Sequence, residues 1–133
     1  MLLAAVLGLY GLGTVARVSL WSGSEQVLWR EATQVSPYKV RPWVNLGNAY
    51  AQAGEFDQAE LAYRHAMQVA QHSSRGWDET VVGLAMAEVN LGITYMRAGR
   101  FREAKALIRL AAQRRPKSLE IREVAEWSEG FPD

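Results

Sequence analysis

Side chains able to do covalent or metal chemistry are few in this sequence and poorly spaced for it. His65 and His72 lie seven positions apart, so one helix cannot offer them as the i, i+4 pair that a metal takes from a single face. Cysteine is absent, which removes thiolate ligands and any disulfide framework. Ser73 and Ser74 have no Gly-x-Ser-x-Gly setting, and no glycine pattern for phosphate or dinucleotide binding occurs. Carboxylates are numerous, yet nothing in the pattern sets two of them across a cleft. The reading is non-catalytic, with no cofactor and no metal. The informative polar residues are amides. Asn45 and Asn90 each precede a Leu-Gly pair, one helical step off an apolar stripe. An amide both donates and accepts, so it can pair with the peptide bonds of an extended ligand whatever that ligand's sequence. The same two residues could instead brace neighbouring helical turns. Arg41, Asn48 and Gln52 are weaker candidates, placed near Asn45 by helical spacing alone.

The elements that position these amides are repeated. From Val44 the chain reads VNLGNAYAQAGEFDQAELAY, and from Val89 it reads VNLGITYMRAGRFREAKALI. Trp43, Leu46, Gly47 and Tyr50 fall at i, i+3, i+4 and i+7, one face of a helix. Gly54 and Gly99 follow the periodic runs and suit left-handed helix ends. Phe56 and Phe101 then open a second helix in each copy, continued in the first by Ala59, Tyr63 and Ala66. A mid-helix glycine costs about 1 kcal/mol against alanine, so Gly47 and Gly92 predict a close helix approach.

This pattern resembles the tetratricopeptide (TPR) repeat. Trp43, Leu46, Gly47, Tyr50, Ala59, Tyr63 and Ala66 fill it in the first copy. Leu91, Gly92, Tyr95, Ala104, Ile108, Ala111 and Pro116 fill it in the second. Glu88 stands where the aromatic belongs, and Gln71 stands where proline does. Trp29, Ala32 and Pro37 lie 34 residues before Tyr63, Ala66 and Gln71, so a partial repeat precedes. The copies are separated by 45 residues rather than 34. The surplus around HSSRGWDETVV predicts a short turn and about two added turns at the start of the following helix, with Gly76 ending the preceding helix and Asp78 capping the next. Trp77 there is either a packing lid or an exposed anchor for a partner. The expected fold is all-α: a TPR-type solenoid of helical hairpins behind an apolar helix. Its expected parts are an apolar segment 1–21 and a TPR domain 22–133. The domain divides into partial repeat 22–39, repeat 40–73, insertion 74–84, repeat 85–116 and capping helix 117–133. Ser118 is the candidate N-cap of that last helix.

With 133 residues and 49% hydrophobic content, the chain suits one folded domain. A net charge of +1 supplies no field that would gather nucleic acid. Charge is uneven, however: nine bases lie between Arg97 and Glu123 against three acids. They read as solvated helix faces or as a docking patch for acidic protein or anionic lipid.

Residues Met1 to Ala16 carry no charge. Sixteen helical residues rise about 24 Å against a hydrocarbon core of roughly 30 Å, so Arg17 must snorkel and Trp21 sit among headgroups for the segment to span. A membrane helix is preferred over a signal peptide, which would open on basic residues, and over a helix buried on the repeats.

Thr14, Arg17 and Trp21, then Leu28-Trp29, Pro37, Arg41 and Asn45-Leu46-Gly47, together look like the junction in multi-pass TPR-bearing glycosyltransferase-like membrane proteins. That resemblance implies repeats facing the periplasm or lumen and presenting a protein. Arg17, placed after the apolar run, points instead to a cytoplasmic domain. The TPR resemblance places Asn45 and Asn90 toward a concave groove. There they are similar to the asparagine ladder of O-linked N-acetylglucosamine-transferase-type arrays. The expected function is a protein-interaction scaffold holding a polypeptide, tethered through residues 1–21. The alternative is the accessory tail of a membrane glycosyltransferase.

Overall fold

A computed structural model of the chain describes residues 23–73 and 77–133. The expected membrane helix over 1–21 lies outside them, as do residues 74–76 of the insertion and the side chain of Trp77. Six helices and no strand occur among the described residues: α1 over 23–35, α2 Val40–Gln52, α3 Phe56–Gln71, α4 Trp77–Arg97, α5 Phe101–Arg114 and α6 Leu119–Glu129. No helix among them is long and apolar enough to cross a membrane. From α2 to α6, neighbours in sequence pack as neighbours in space and α2 also meets α4, so these helices form one continuous stack.

The glycine geometry explains the hairpins. Gly54 and Gly99 both adopt φ 78°, open to glycine at little cost. After Gly54 the chain reverses, with Glu55 N–H bonding Tyr50 O at 2.9 Å and Gly54 N–H bonding Ala51 O at 3.1 Å. Arg100 to Tyr95 at 2.8 Å and Gly99 to Met96 at 3.1 Å repeat the motif, which satisfies carbonyls that a helix end leaves bare. Gly47 and Gly92 serve packing instead. A Cβ on Gly47 would stand 2.6 Å from the Tyr63 ring, and one on Gly92 would stand 2.6 Å from Ile108 Cγ1 and 3.2 Å from the Ala104 carbonyl. Ala59, Tyr63, Ala66, Leu91, Ala104 and Ile108 are buried in the resulting core.

Two local expectations are corrected. The second helix of the first hairpin ends at Gln71 and does not run to Gly76. There the His72 ring nitrogen and backbone N–H both engage the Gln68 carbonyl, at 2.8 and 3.1 Å, which closes the helix in the absence of the family proline. Helix α4 also begins at Trp77, so Asp78 lies inside it rather than at its cap. With 21 residues against 13 in α2, α4 is about two turns longer than its counterpart.

Glu88, the residue out of pattern, is buried with its carboxylate 2.9 and 3.0 Å from Arg114 Nε. Burial pushes its pKa up, and the Arg114 hydrogen bond and charge pull it down only in part. A buried carboxylate paired with a half-buried guanidinium thus fills the site of an aromatic ring.

A second periodic feature links successive hairpins. Arg30 bonds the Tyr50 hydroxyl at 2.9 Å, Arg64 bonds the Tyr95 hydroxyl at 3.4 Å, and Arg109 makes a bidentate pair with Glu129 at 2.8 and 2.7 Å. These arginines are spaced 34 and 45 residues apart, as the repeats are, so each reaches the same position of the next hairpin's first helix. Helix α6 therefore stands as a first helix in register. It starts with Ser118 accepting from Ile121 N–H at 3.5 Å. Glu126, which is exposed, occupies the place of Gly47 and Gly92. Lys105, buried on α5, holds the C-terminal residues by donating to Phe131 O at 2.7 Å and Asp133 at 2.8 Å.

Candidate functional site

Helices α2 and α4 lie beside each other as the first helices of adjacent hairpins, and the amides meet there. Asn48 Oδ1 accepts the Tyr63 hydroxyl at 2.7 Å and the Asn90 Nδ2 group at 3.2 Å. Tyr63 is buried, and that burial pushes its pKa up to about 12, so the phenol keeps its proton and stays a donor. One turn on, Thr94 Oγ1 donates to the Asn90 backbone carbonyl at 2.8 Å. No buried side-chain nitrogen or oxygen lacks a partner among the described residues. Asn48 Nδ2 and Asn90 Oδ1, which bond to no other side chain there, must therefore reach solvent. The pair offers one donor and one acceptor to whatever lies in the groove. Flipping both amides exchanges the two roles and leaves the same complement.

This differs in detail from a ladder of Asn45 and Asn90. Asn90 pairs with Asn48, which the sequence ranks lower, across 42 residues. Asn45 is half-buried one turn toward the start of α2, and exposed Arg41 sits a further turn away. Gln52 is exposed one turn beyond Asn48. All four lie on α2, and only Asn48 reaches across to Asn90.

Next to the amide pair, a cleft of about 580 Å³ opens between the start of α2 and the added turns of α4. Val40, Val44, Val82 and Met86 give it apolar walls, with Arg41 and Asn45 at its polar side. Its depth depends on Gly83, where a Cβ would come within 3.1 Å of Val40. Tyr38, 83% exposed, and Met86, 49% exposed, are cleft residues that sequence reasoning missed. Met86 could have been found, since it precedes Asn90 by one helical turn.

The remaining chemistry is structural. Exposed His65 packs against Trp43 with ring centroids 4.2 Å apart, and no metal-binding group of His, Asp and Glu exists among the described residues. Of the nine bases from Arg97 to Arg122, Arg100, Lys105, Arg109 and Arg114 are bound to carboxylates of the chain. Arg97 lies over the Phe56 ring at 5.4 Å. Most of that apparent patch is thus engaged internally. Glu60 anchors another cluster: burial opposes its charge, but hydrogen bonds from Tyr95, Arg100 and Arg64 hold its carboxyl below the ordinary range.

Residues 40–73 and 85–124 each match a family model described as a tetratricopeptide repeat. Over 64 residues, 48% of the chain, the sequence is 42% identical to protein O-mannosyl-transferase tmtc2 of Xenopus laevis and 38% identical to protein O-mannosyl-transferase TMTC2 of Homo sapiens. The match covers 7% of the length of either relative. Among solved structures, the Arabidopsis OM64 TPR domain superposes with a TM-score of 0.67 at 18% identity, covering 89% of this chain and 88% of that one.

Proposed function

The chain is a tetratricopeptide-repeat protein, and on that premise we propose that it is a non-catalytic scaffold holding an extended polypeptide along the face shared by α2 and α4. The observation that carries this is the Asn48–Asn90 pair, whose free donor and acceptor match the carbonyl and N–H of a peptide backbone. Arg41, Asn45 and Gln52 flank the pair and would contact side chains of the same ligand. Since Tyr63 holds one member in place, the ligand meets a group that is already ordered and loses less entropy on binding.

Asn90→Ala is the cleaner test, because Asn48→Ala would also strand the buried Tyr63 hydroxyl. Fluorescence anisotropy of a panel of end-capped nonapeptides against the full chain should show affinity falling about tenfold in Asn90→Ala, consistent with losing one or two hydrogen bonds. An affinity equal to that of the parent chain would remove the amide pair from the reading.

A tether through residues 1–21 fits their lack of charge through Ala16. Resistance of the full chain to alkaline extraction from membranes would support it, and release would end it. A second reading draws on the 64-residue similarity to O-mannosyl-transferases: the scaffold would hold protein acceptors for a glycosyltransferase, with its repeats on the periplasmic or lumenal side. Co-purification with a mannosyl-transferring activity, lost in the groove variant, is its test.

A further inference from the structure

The scaffold reading leaves the ligand's side chains undefined, and the insertion supplies a constraint. Resting on that reading, we propose that the cleft walled by the added turns of α4 receives an aromatic or large aliphatic side chain flanked by acidic residues, from the same polypeptide whose backbone meets Asn48 and Asn90.

Three observations point to this occupant. The cleft lies on the faces that carry the amide pair, one turn toward the starts of α2 and α4. Asn45 and Met86 line it where Asn48 and Asn90 would be one turn later. A chain laid across the pair therefore continues into it at the rise of roughly 3.3 Å per residue of an extended peptide. The walls are apolar, and Tyr38 and Met86 stand exposed at them. That is surface which a monomeric domain gains by covering.

The third observation is charge. Lys39 and Arg41 line the cleft, and no acidic residue is among its described lining. Most cations of the hairpin junctions are held by the chain itself: Arg64, Arg100, Lys105, Arg109 and Arg114 each pair with a carboxylate, and Arg30 bonds the Tyr50 hydroxyl. Lys39 and Arg41 make no ion pair among the described residues, and both are exposed. Asp78 and Glu79 begin α4, with side chains outside the described part, and are retained unchanged in every variant below. Two exposed cations beside an apolar seat select for negative charge next to the buried side chain, and the preference weakens with salt.

The probes are three nonapeptides with capped ends, identical except for a centre of Asp-Phe-Asp, Lys-Phe-Lys or Asp-Ala-Asp. They are titrated against the full chain by fluorescence anisotropy at low and at high salt. The Asp-Phe-Asp peptide should bind about tenfold more tightly than either of the others at low salt, with its lead over Lys-Phe-Lys shrinking at high salt. Charge reversal in Lys39→Glu/Arg41→Glu, two exposed positions, should invert the order of the first two peptides while leaving thermal unfolding unchanged. Equal binding of all three probes, each still weakened by Asn90→Ala, would overturn this proposal and leave the scaffold reading intact. Tighter binding of Lys-Phe-Lys by the parent chain, or an unaltered order after charge reversal, would also overturn it. No binding by any probe would sink both.

Discussion

Replacing Arg114 by methionine should be far more damaging than replacing Glu88 by glutamine, although both remove one half of the same ion pair. The Glu88 side chain is 3% exposed and that of Arg114 is 32% exposed. Without Arg114, the carboxylate remains in the core with no counter-charge, a situation that typically costs 3–5 kcal/mol. Without the Glu88 charge, the guanidinium can turn toward water, and a glutamine oxygen still accepts one N–H. About 1 kcal/mol or less should be lost. Changing both residues to methionine fills the aromatic's place with apolar atoms and should be neutral or stabilising by roughly 1–4 kcal/mol.

Urea unfolding followed by far-ultraviolet circular dichroism separates these cases. With a slope of about 1.5–2 kcal/mol per molar, the Arg114→Met midpoint should fall by about 2 M at pH 7. The sign of the pH effect is a further check. Burial already raises the Glu88 pKa, and losing Arg114 raises it more. The defect should therefore shrink as pH falls through the folded value toward the unfolded one, because the carboxyl takes up a proton. Equal losses in Arg114→Met and Glu88→Gln, or an Arg114→Met defect constant from pH 7 to pH 5, would refute the argument.

Gly92→Ala should destabilise by about 1–2 kcal/mol net of its gain in helix propensity, since the new methyl meets both Ile108 and the Ala104 carbonyl; thermal unfolding reads this. Alkaline titration should lower stability between about pH 10 and 12: the contribution from the neutral Tyr63 phenol is complete below the unfolded pKa and is lost as pH rises through the folded one. Tyr63→Phe should flatten that limb. Glu60, whose pKa is lowered, stabilises the fold above the unfolded carboxylate pKa near 4.5, and this is lost as pH falls through the folded value. Glu60→Gln should make the acid limb shallower.

The hairpins were legible because their determinants are local. Apolar residues at i, i+3, i+4 and i+7, a glycine after each run and a glycine opposite a bulky side chain fix each pair within about 30 residues. The end of α3 was misread because Gln71 stands where the family proline would have marked it, and a histidine side chain closes the helix instead. Asn48 gave no sign of its bond to Asn90 because the second copy has Ile93 at its position, so repetition gave no hint of an amide there. Its contact with Asn90 depends on how two hairpins stack, which spacing alone does not fix. Glu88 and Arg114 lie 26 residues apart on the two helices of one hairpin, and no residue pattern in the other copy announces the pair. The arginines at 30, 64 and 109, by contrast, carry the repeat period openly. Grouping Arg109 with the bases between Arg97 and Glu123 hid it.

Those three arginines also make the stack unequal along its length. Arg30 fastens to a phenol, a neutral dipole that dissolved ions scarcely disturb, and Arg64 reaches one while also pairing with Glu60. Arg109 and Glu129 form a fully charged clasp that is about half open to water, with side chains 57% and 47% exposed. Concentrated salt should loosen the docking of α6 before it affects the seam between α1 and α2, so the two ends of the stack differ in what holds them.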